Sequence, residues 1–183
     1  MVKIKKSKLL LHICCAGCGA YVSQLLSRTR GIDVCLFFYN PNIFPENEYK
    51  KRLDEVRMIS KKYKVDLLIG EYNHQSWLEK VRGHENDQEK GERCQICYFE
   101  RIKMTAETAR LENCDFFTTT LTVSPHKLAK KIIEIGEKLA EENKIKFLSE
   151  DFKKNNGFKE ALALSKKIGL YRQNYCGCEF SQR

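Results

Sequence analysis

The chain has 183 residues, 42% of them hydrophobic, with 33 Lys and Arg against 24 Asp and Glu and a net charge of +9. That is enough apolar material for one domain with a real core, and the basic excess permits nucleic-acid binding without demanding it. No apolar run approaches the about 20 residues of a membrane span. The start Met1-Val2-Lys3-Ile4-Lys5-Lys6 is followed by an apolar segment too short for a signal peptide, so a cytoplasmic protein is expected.

In chain order, residues 9–13 read as a short apolar strand and 14–19 (Cys-Cys-Ala-Gly-Cys-Gly) as a loop. Residues 20–28 follow as a helix. Residues 34–39 (Val-Cys-Leu-Phe-Phe-Tyr) form a second buried strand, broken by Asn40-Pro41-Asn42. Residues 46–62 are a charged amphipathic helix, with Leu53, Val56 and Ile59 at helical spacing. A strand at 65–69, a short helix at 76–82 and a polar loop at 83–91 come next. Residues 95–111 are a helix with Ile102, Ala106 and Ala109 inward, and 115–119 a fourth strand. Residues 125–142 form a long helix with Ser124 as N-cap and Pro125 at its first position. A strand at 145–148, a helix at 158–168 and a tail bearing Cys176-Gly177-Cys178 complete the chain.

This alternation predicts one α/β catalytic domain spanning 1–183. Its sheet is mostly parallel, five-stranded and covered by helices on both faces. Ligands of such sheets bind at the carboxyl ends of the strands, where the loop at 14–19 sits. The tail, residues 170–183, is expected to close that site.

Nine cysteines are many for a reducing compartment, and an odd count excludes complete pairing into disulfides. Cys94 and Cys97 are spaced to share one helix face. Cys176 and Cys178 flank a glycine, and in extended chain residues two apart point the same way. Cys14, Cys15 and Cys18 supply three more. Adjacent side chains in extended backbone diverge, so Cys14 and Cys15 suit two neighbouring centres better than one. Seven thiols exceed the four that one cubane takes, and the three left over could hold one further metal ion with a carboxylate. A [4Fe–4S] cluster beside a mononuclear iron is one reading. A structural zinc site and a metal-free dithiol chemistry at Cys94 and Cys97 are the others. Cys35, inside an apolar strand, and Cys114 read as core thiols. His12 reads as a packed residue beside Cys14, His126 as exposed, and His74 and His84 as loop residues without a visible partner.

Several stretches together resemble one family. They are Leu10-Leu11-His12-Ile13-Cys14-Cys15-Ala16-Gly17-Cys18, then Phe37-Phe38-Tyr39-Asn40-Pro41-Asn42-Ile43, and Glu48-Tyr49 with Arg52. Next come Arg93-Cys94-x-x-Cys97-Tyr98 with Arg101, and Phe117-Thr118-Thr119-Thr120-Leu121 with Ser124-Pro125 and Lys127. Asp151-Phe152-Lys153-Lys154 and the tail from Leu170 to Ser181 complete the set. The ordered set resembles the QueH family, the cobalamin-independent epoxyqueuosine reductases, over about residues 9–181. Gly17 stands where the resemblance leads one to expect proline, and the change removes no candidate ligand.

The resemblance implies an adenine-nucleotide-hydrolase-like fold and reduction of epoxyqueuosine to queuosine at the wobble position of tRNA, the last step of queuosine biosynthesis. It implies an iron–sulfur cluster with a second iron, a tRNA substrate and an external electron donor. Removing an epoxide oxygen as water takes two electrons, two protons and stabilisation of the leaving oxygen. Asp115, Asp151, Tyr175 and His126 are the proton-donor candidates, and Asp151 could instead complete the second iron site. Aromatic residues beside basic ones suit an unstacked nucleoside. Arg172 and Gln173, next to Tyr175, are therefore substrate-binding candidates, as are Tyr39 and Asn40 at a strand end, while Phe38 reads as core. Lys50, Lys51, Arg52, Lys153, Lys154 and Arg172 could track the RNA backbone. Two further readings are a zinc-stabilised tRNA-binding protein and an ATP-dependent tRNA sulfur-transferase on a similar fold. The second lacks the Ser-Gly-Gly run expected after the first strand.

Overall fold

A sheet of five strands forms the middle layer of the computed structural model, which describes residues 6–181. The charged start at residues 1–5 and the last two positions of the expected domain lie outside the described residues. The first strand, β1 (Ser7–His12), pairs with β2 (Ile32–Phe38) on one side and β4 (Phe116–Thr119) on the other. Outward of these lie β3 (Asp66–Ile69) and β5 (Lys146–Phe147), giving the order β3-β2-β1-β4-β5. All four ladders are parallel, so the sheet expected to be mostly parallel is wholly so among the described residues. The chain winds outward from β1 through β2 and β3, then returns to the far side of β1. Its direction reverses between β1 and β4, and a crevice opens there at the strands' carboxyl ends.

Alternate strand residues feed two apolar layers, as the pleat dictates. Leu9, Leu11, Val34, Leu36 and Phe38 face α1 (Ala16–Ser27), α2 (Glu46–Tyr63) and α6 (Gly157–Lys167). Leu10, Cys35, Phe37 and Phe117 face α4 (Glu92–Leu111) and α5 (Ala129–Asn143), and Cys114 is buried in the same layer. The short α3 (His74–Lys80) packs Trp77 and Val81 into a third apolar group, with Cys97 and Cys178. No helix among the described residues is long and apolar enough to cross a membrane.

Three boundaries near the crevice differ from the sequence expectation. The first helix begins at Ala16 rather than residue 20, because Cys15 takes an extended N-cap conformation (φ −159°, ψ 155°) and the chain turns at once. Cys18 therefore lies in a helical turn. The helix expected from residue 125 begins only at Ala129. Ser124 instead ends a 3-10 turn, Thr120–Val123, and its hydroxyl accepts from His126 N at 3.2 Å, so its capping oxygen is used locally. The expected short helix opens at His74, where the Asn73 side chain accepts from Ser76 N at 2.9 Å.

Close packing of α5 on the edge strand depends on Gly136. A first side-chain carbon there would stand 2.5 Å from the Phe147 ring. Gly136→Val should overpack this contact and destabilise the fold by about 1–3 kcal/mol. The expected result is a lower urea midpoint at unchanged slope.

Candidate functional site

Three cysteine-bearing segments converge at the crevice. The end of β1 delivers Cys14 and Cys15, and the first turn of α1 brings Cys18. Cys94 and Cys97 come from the first turns of α4, and Cys176 and Cys178 from the tail. A cavity of about 630 Å³ is lined by Cys14, Cys15, Cys18 and Cys176, with Thr120, His126, Lys127 and residues 171–175 around its mouth. A smaller recess adjoins it, sharing Glu89, Lys127, Cys176 and Ser181. Cys94, Cys97, Cys176 and Cys178 line that recess, together with Asn42, Trp77, Arg93 and Arg101. Among the described residues, no three His, Cys, Asp or Glu side chains are gathered so that they could hold a single metal ion.

The thiols are electrostatically unlike. A hydrogen bond with Cys15, reinforced by burial, pushes Cys14 well above the usual thiol range. For Cys15 the hydrogen bond from Cys14 acts downward, but the one to Cys18 and burial outweigh it, leaving a value pushed up to about 11. The contact between Cys14 and Cys15 departs from the divergence expected of adjacent side chains. Cys15 stands at a helix N-cap, where strand alternation has ended. Burial raises Cys97. Cys176 goes the other way: the hydrogen bond from Cys178 holds it well below the usual range against its burial, helped by Lys127 and by Ser181 Oγ, 3.0 Å away. Cys178 is raised in turn, because its proton serves Cys176. The tail thus presents two hydrogen-bonded sulfurs shifted in opposite directions. For Arg101, burial works against the charge and the nearby Cys97, Cys14 and Cys176 act the other way, with a net shift upward.

Arg172, Gln173 and Tyr175 line the large cavity. The Tyr175 hydroxyl donates to Phe44 O at 2.6 Å, so its proton is engaged away from the thiols. Tyr39 and Asn40 line neither cavity. The Tyr39 ring stacks on Phe37, and buried Asn40 donates from Nδ2 to Ile13 O at 2.8 Å, holding the chain just ahead of Cys14. Asp115 sits at the amino-terminal end of β4, where its carboxylate accepts from Lys8 N at 2.8 Å. It lies at the wrong end of the sheet for a proton donor in the crevice. Asp151 pairs with Lys153 at 3.3 Å and lines neither cavity. Arg52, grouped in the sequence with RNA-facing charges, is buried beneath the tail. His74 has partners after all, Pro41 O and Glu179 Oε1, both at 2.8 Å. His84 likewise pairs with Asp87 Oδ2, at 3.1 Å. Trp77, Asn42 and Glu89 line the site without any spacing that marks them in the sequence.

The family model for epoxyqueuosine reductase QueH matches residues 9–183. The chain belongs to the QueH family. It is 36% identical to the QueH of Thermotoga maritima, over 94% of this chain and 88% of that protein. To the Streptococcus pyogenes QueH it is 33% identical, over 97% of this chain and 71% of that one. Like them, it is an oxidoreductase. In fold it resembles the U34-tRNA thiolase NcsA from Methanococcus maripaludis, solved with its [4Fe–4S] cluster, at a TM-score of 0.65 and 16% identity. That alignment covers 98% of this chain and 63% of the thiolase. In this QueH chain Gly17 lies in α1 against α6, and a side-chain carbon there would stand 2.4 Å from Ser165 Oγ.

His12, one residue from the thiol loop, is wholly buried. Nε2 lies 3.1 Å from Tyr39 O, which can only accept, so Nε2 carries the hydrogen and donates. Nδ1 then accepts from the Thr119 hydroxyl, 2.8 Å away, which itself accepts from Leu121 N. The ring ties β1 to β2 and β4 in its neutral form. Burial, and then the Arg101 charge, lower its pKa from 6.5 to about 3. The unfolded chain therefore binds the extra proton first. This contribution is present above pH 6.5 and is lost as pH falls towards 3. In the metal-free protein, stability should fall by up to about 1.4 kcal/mol per pH unit across that window from this ring alone. His12→Gln should flatten that component in urea titrations at pH 7.5, 6.5 and 5.5.

Proposed function

We propose that the chain reduces epoxyqueuosine to queuosine at the wobble position of tRNA, the last step of queuosine biosynthesis. In this reading the seven thiols hold a [4Fe–4S] cluster and a second iron, and an external donor supplies the electrons. The observation that carries it is the meeting of the three cysteine-bearing segments at adjoining cavities, in a chain that belongs to the QueH family. The residues fit a sulfur-rich anionic group. Trp77 Nε1 and Arg93 Nε are buried without acceptors, and both residues line the recess that holds four thiols, the number one cubane takes. Cluster sulfur would give those donors partners. The thiolase of similar fold carries such a cluster. A cubane takes one thiolate at each iron, so it does not need the single-ion cage that is absent among the described residues. Carboxylate completion of the second site by Asp151 would require that side chain to leave Lys153.

Held by these thiols, such centres would supply electrons one at a time and Lewis-acid stabilisation of the leaving oxygen. The balance is epoxide plus two electrons and two protons to alkene plus water. The chain's own residues bind and orient. Arg172, Gln173 and Asn174 in the cavity lining suit the nucleoside and its phosphates, beside the aromatic Tyr171 and Tyr175. Lys127 lines both cavities, and its charge favours negative sulfur at Cys14, Cys97 and Cys176 alike. A phosphate loop for ATP would belong after β1, where three thiols stand instead.

Protein purified anaerobically should be brown and carry about four iron and four sulfide per chain, with further iron if the second site is filled. One zinc and no sulfide would leave a zinc-stabilised RNA-binding protein. Incubated with epoxyqueuosine-containing tRNA and a chemical reductant, it should yield queuosine, read by nucleoside mass spectrometry. No conversion by iron-replete protein would sink the reading. Arg172→Glu should weaken tRNA binding and lower the slope of log affinity against log salt by about one.

A further inference from the structure

The tail segment 170–178 has no helix or strand of its own, yet it carries two thiols and one wall of the large cavity. Something other than a backbone ladder must fix it. We propose that Arg52 is the positioning residue that sets Cys176 and Cys178 against the other thiols, an inference that rests on the reading of these two as ligands.

Arg52 projects from α2 and is 2% exposed. Its guanidinium serves three acceptors: Glu48 Oε1 at 2.7 Å, Cys176 O at 3.0 Å and Tyr175 O at 3.3 Å. Two of these are consecutive tail carbonyls, a spread that a planar fork meets and an ammonium does not. Glu48 neutralises the buried charge and is itself bound by the Tyr171 hydroxyl at 3.1 and 3.3 Å. Lys51 Nζ stands 3.4 Å over the Tyr171 ring, and Glu55 Oε2 accepts from Tyr171 N at 3.0 Å. Residues 48, 51, 52 and 55 recur on one face of α2. That face is a continuous seat for the tail, from the cavity-lining Tyr171 to the thiols.

Gly177 completes the fit. Its φ of +109° is one that side-chain-bearing residues rarely adopt. A side-chain carbon there would lie 2.8 Å from Ile43 Cγ1 and 3.0 Å from Arg52 Nη1. Its carbonyl accepts from Phe44 N at 2.8 Å. With the carbonyls of residues 175–177 all held, the two flanking thiols fall within hydrogen-bonding reach of one another.

The test uses the full chain, metal-free and reduced, pulsed with iodoacetamide and read cysteine by cysteine by peptide mass spectrometry. Arg52→Met should speed alkylation of buried Cys178, and of Cys176, about tenfold, while Cys14 and Cys18 keep their rates. Arg52→Lys should not restore the slow rates, and Gly177→Ala should reproduce the effect from the tail side with α2 intact. In iron-loaded protein, Arg52→Lys should shift the electron paramagnetic resonance spectrum and the reduction potential. Unchanged Cys178 rates, a rise shared equally by Cys14 and Cys18, or a full iron load with an unshifted spectrum would each overturn the assignment. Should Arg52→Met fail to fold, Gly177→Ala and Tyr171→Phe decide by the same rates. Absence of iron from the wild-type protein would sink the ligand reading alone, since the alkylation contrast is measured without metal.

Discussion

A guanidinium cannot be buried unless something nearby accepts its hydrogen bonds or balances its charge, because the unpaired ion costs several kcal/mol. Three are buried around this site: Arg52, Arg93 and Arg101. Two meet the requirement by fixing irregular segments. Arg52 holds the tail carbonyls against α2. Arg93 donates to His84 O and Glu85 O, pinning the turn-rich segment ahead of α4. Arg101 donates within its own helix, to Cys97 O, and lies near three sulfurs. The tail and the segment ahead of the Cys94–Cys97 turn are thus held by buried cations.

The sheet explains where that organisation happens. β1 and β4 stay paired to their last residues, His12 and Thr119, but the reversal of winding there sends the following segments apart and leaves room. Cys14 N donates to Thr120 Oγ1 at 3.4 Å across that gap, while His12 and Thr119 close its floor. The floor is rigid and apolar-backed, whereas the tail and the segment ahead of α4 are irregular and held by side chains. If the crevice holds the proposed metal centre, one fixed wall and one built from such segments would let it be loaded and then reached by a bulky nucleoside.

Much of this was legible in the residues. Leu9 to Ile13, Val34 to Phe38 and the Leu53, Val56, Ile59 spacing carry unambiguous periodicity, so the sheet and its covering helices followed from it. The cysteine spacings marked seven site residues because few structural roles need so many clustered thiols. What failed to show were properties that depend on the third dimension. Asn40, at a strand end and polar, reads as a pocket residue, yet its amide is consumed by Ile13 O. Asp115 begins the strand read at 115–119, opposite the carboxyl ends where ligands bind, so its distance from the crevice was legible, and its partner Lys8 N was not. Arg52 carries the charge of an RNA contact, and only burial reveals its acceptors. Trp77 matters through an indole N–H left without a partner, which no periodicity encodes.

The start of α1 places thiols in a field that favours negative charge. A helix N-terminus after the first parallel strand presents unpaired backbone N–H groups and the positive end of a dipole, which favour any anion placed there. Cys15 occupies the N-cap with no side-chain hydrogen bond to the helix, and Cys18 follows in the first turn. The Cys14 thiol and the backbone at Cys18 favour the ionised form of Cys15, although the Cys18 thiol and burial prevail. A bound cation removes that opposition, because coordination requires the thiolate and supplies the balancing charge. In the proposed centre, the field of the helix terminus would then add to the stabilisation of metal-bound sulfur.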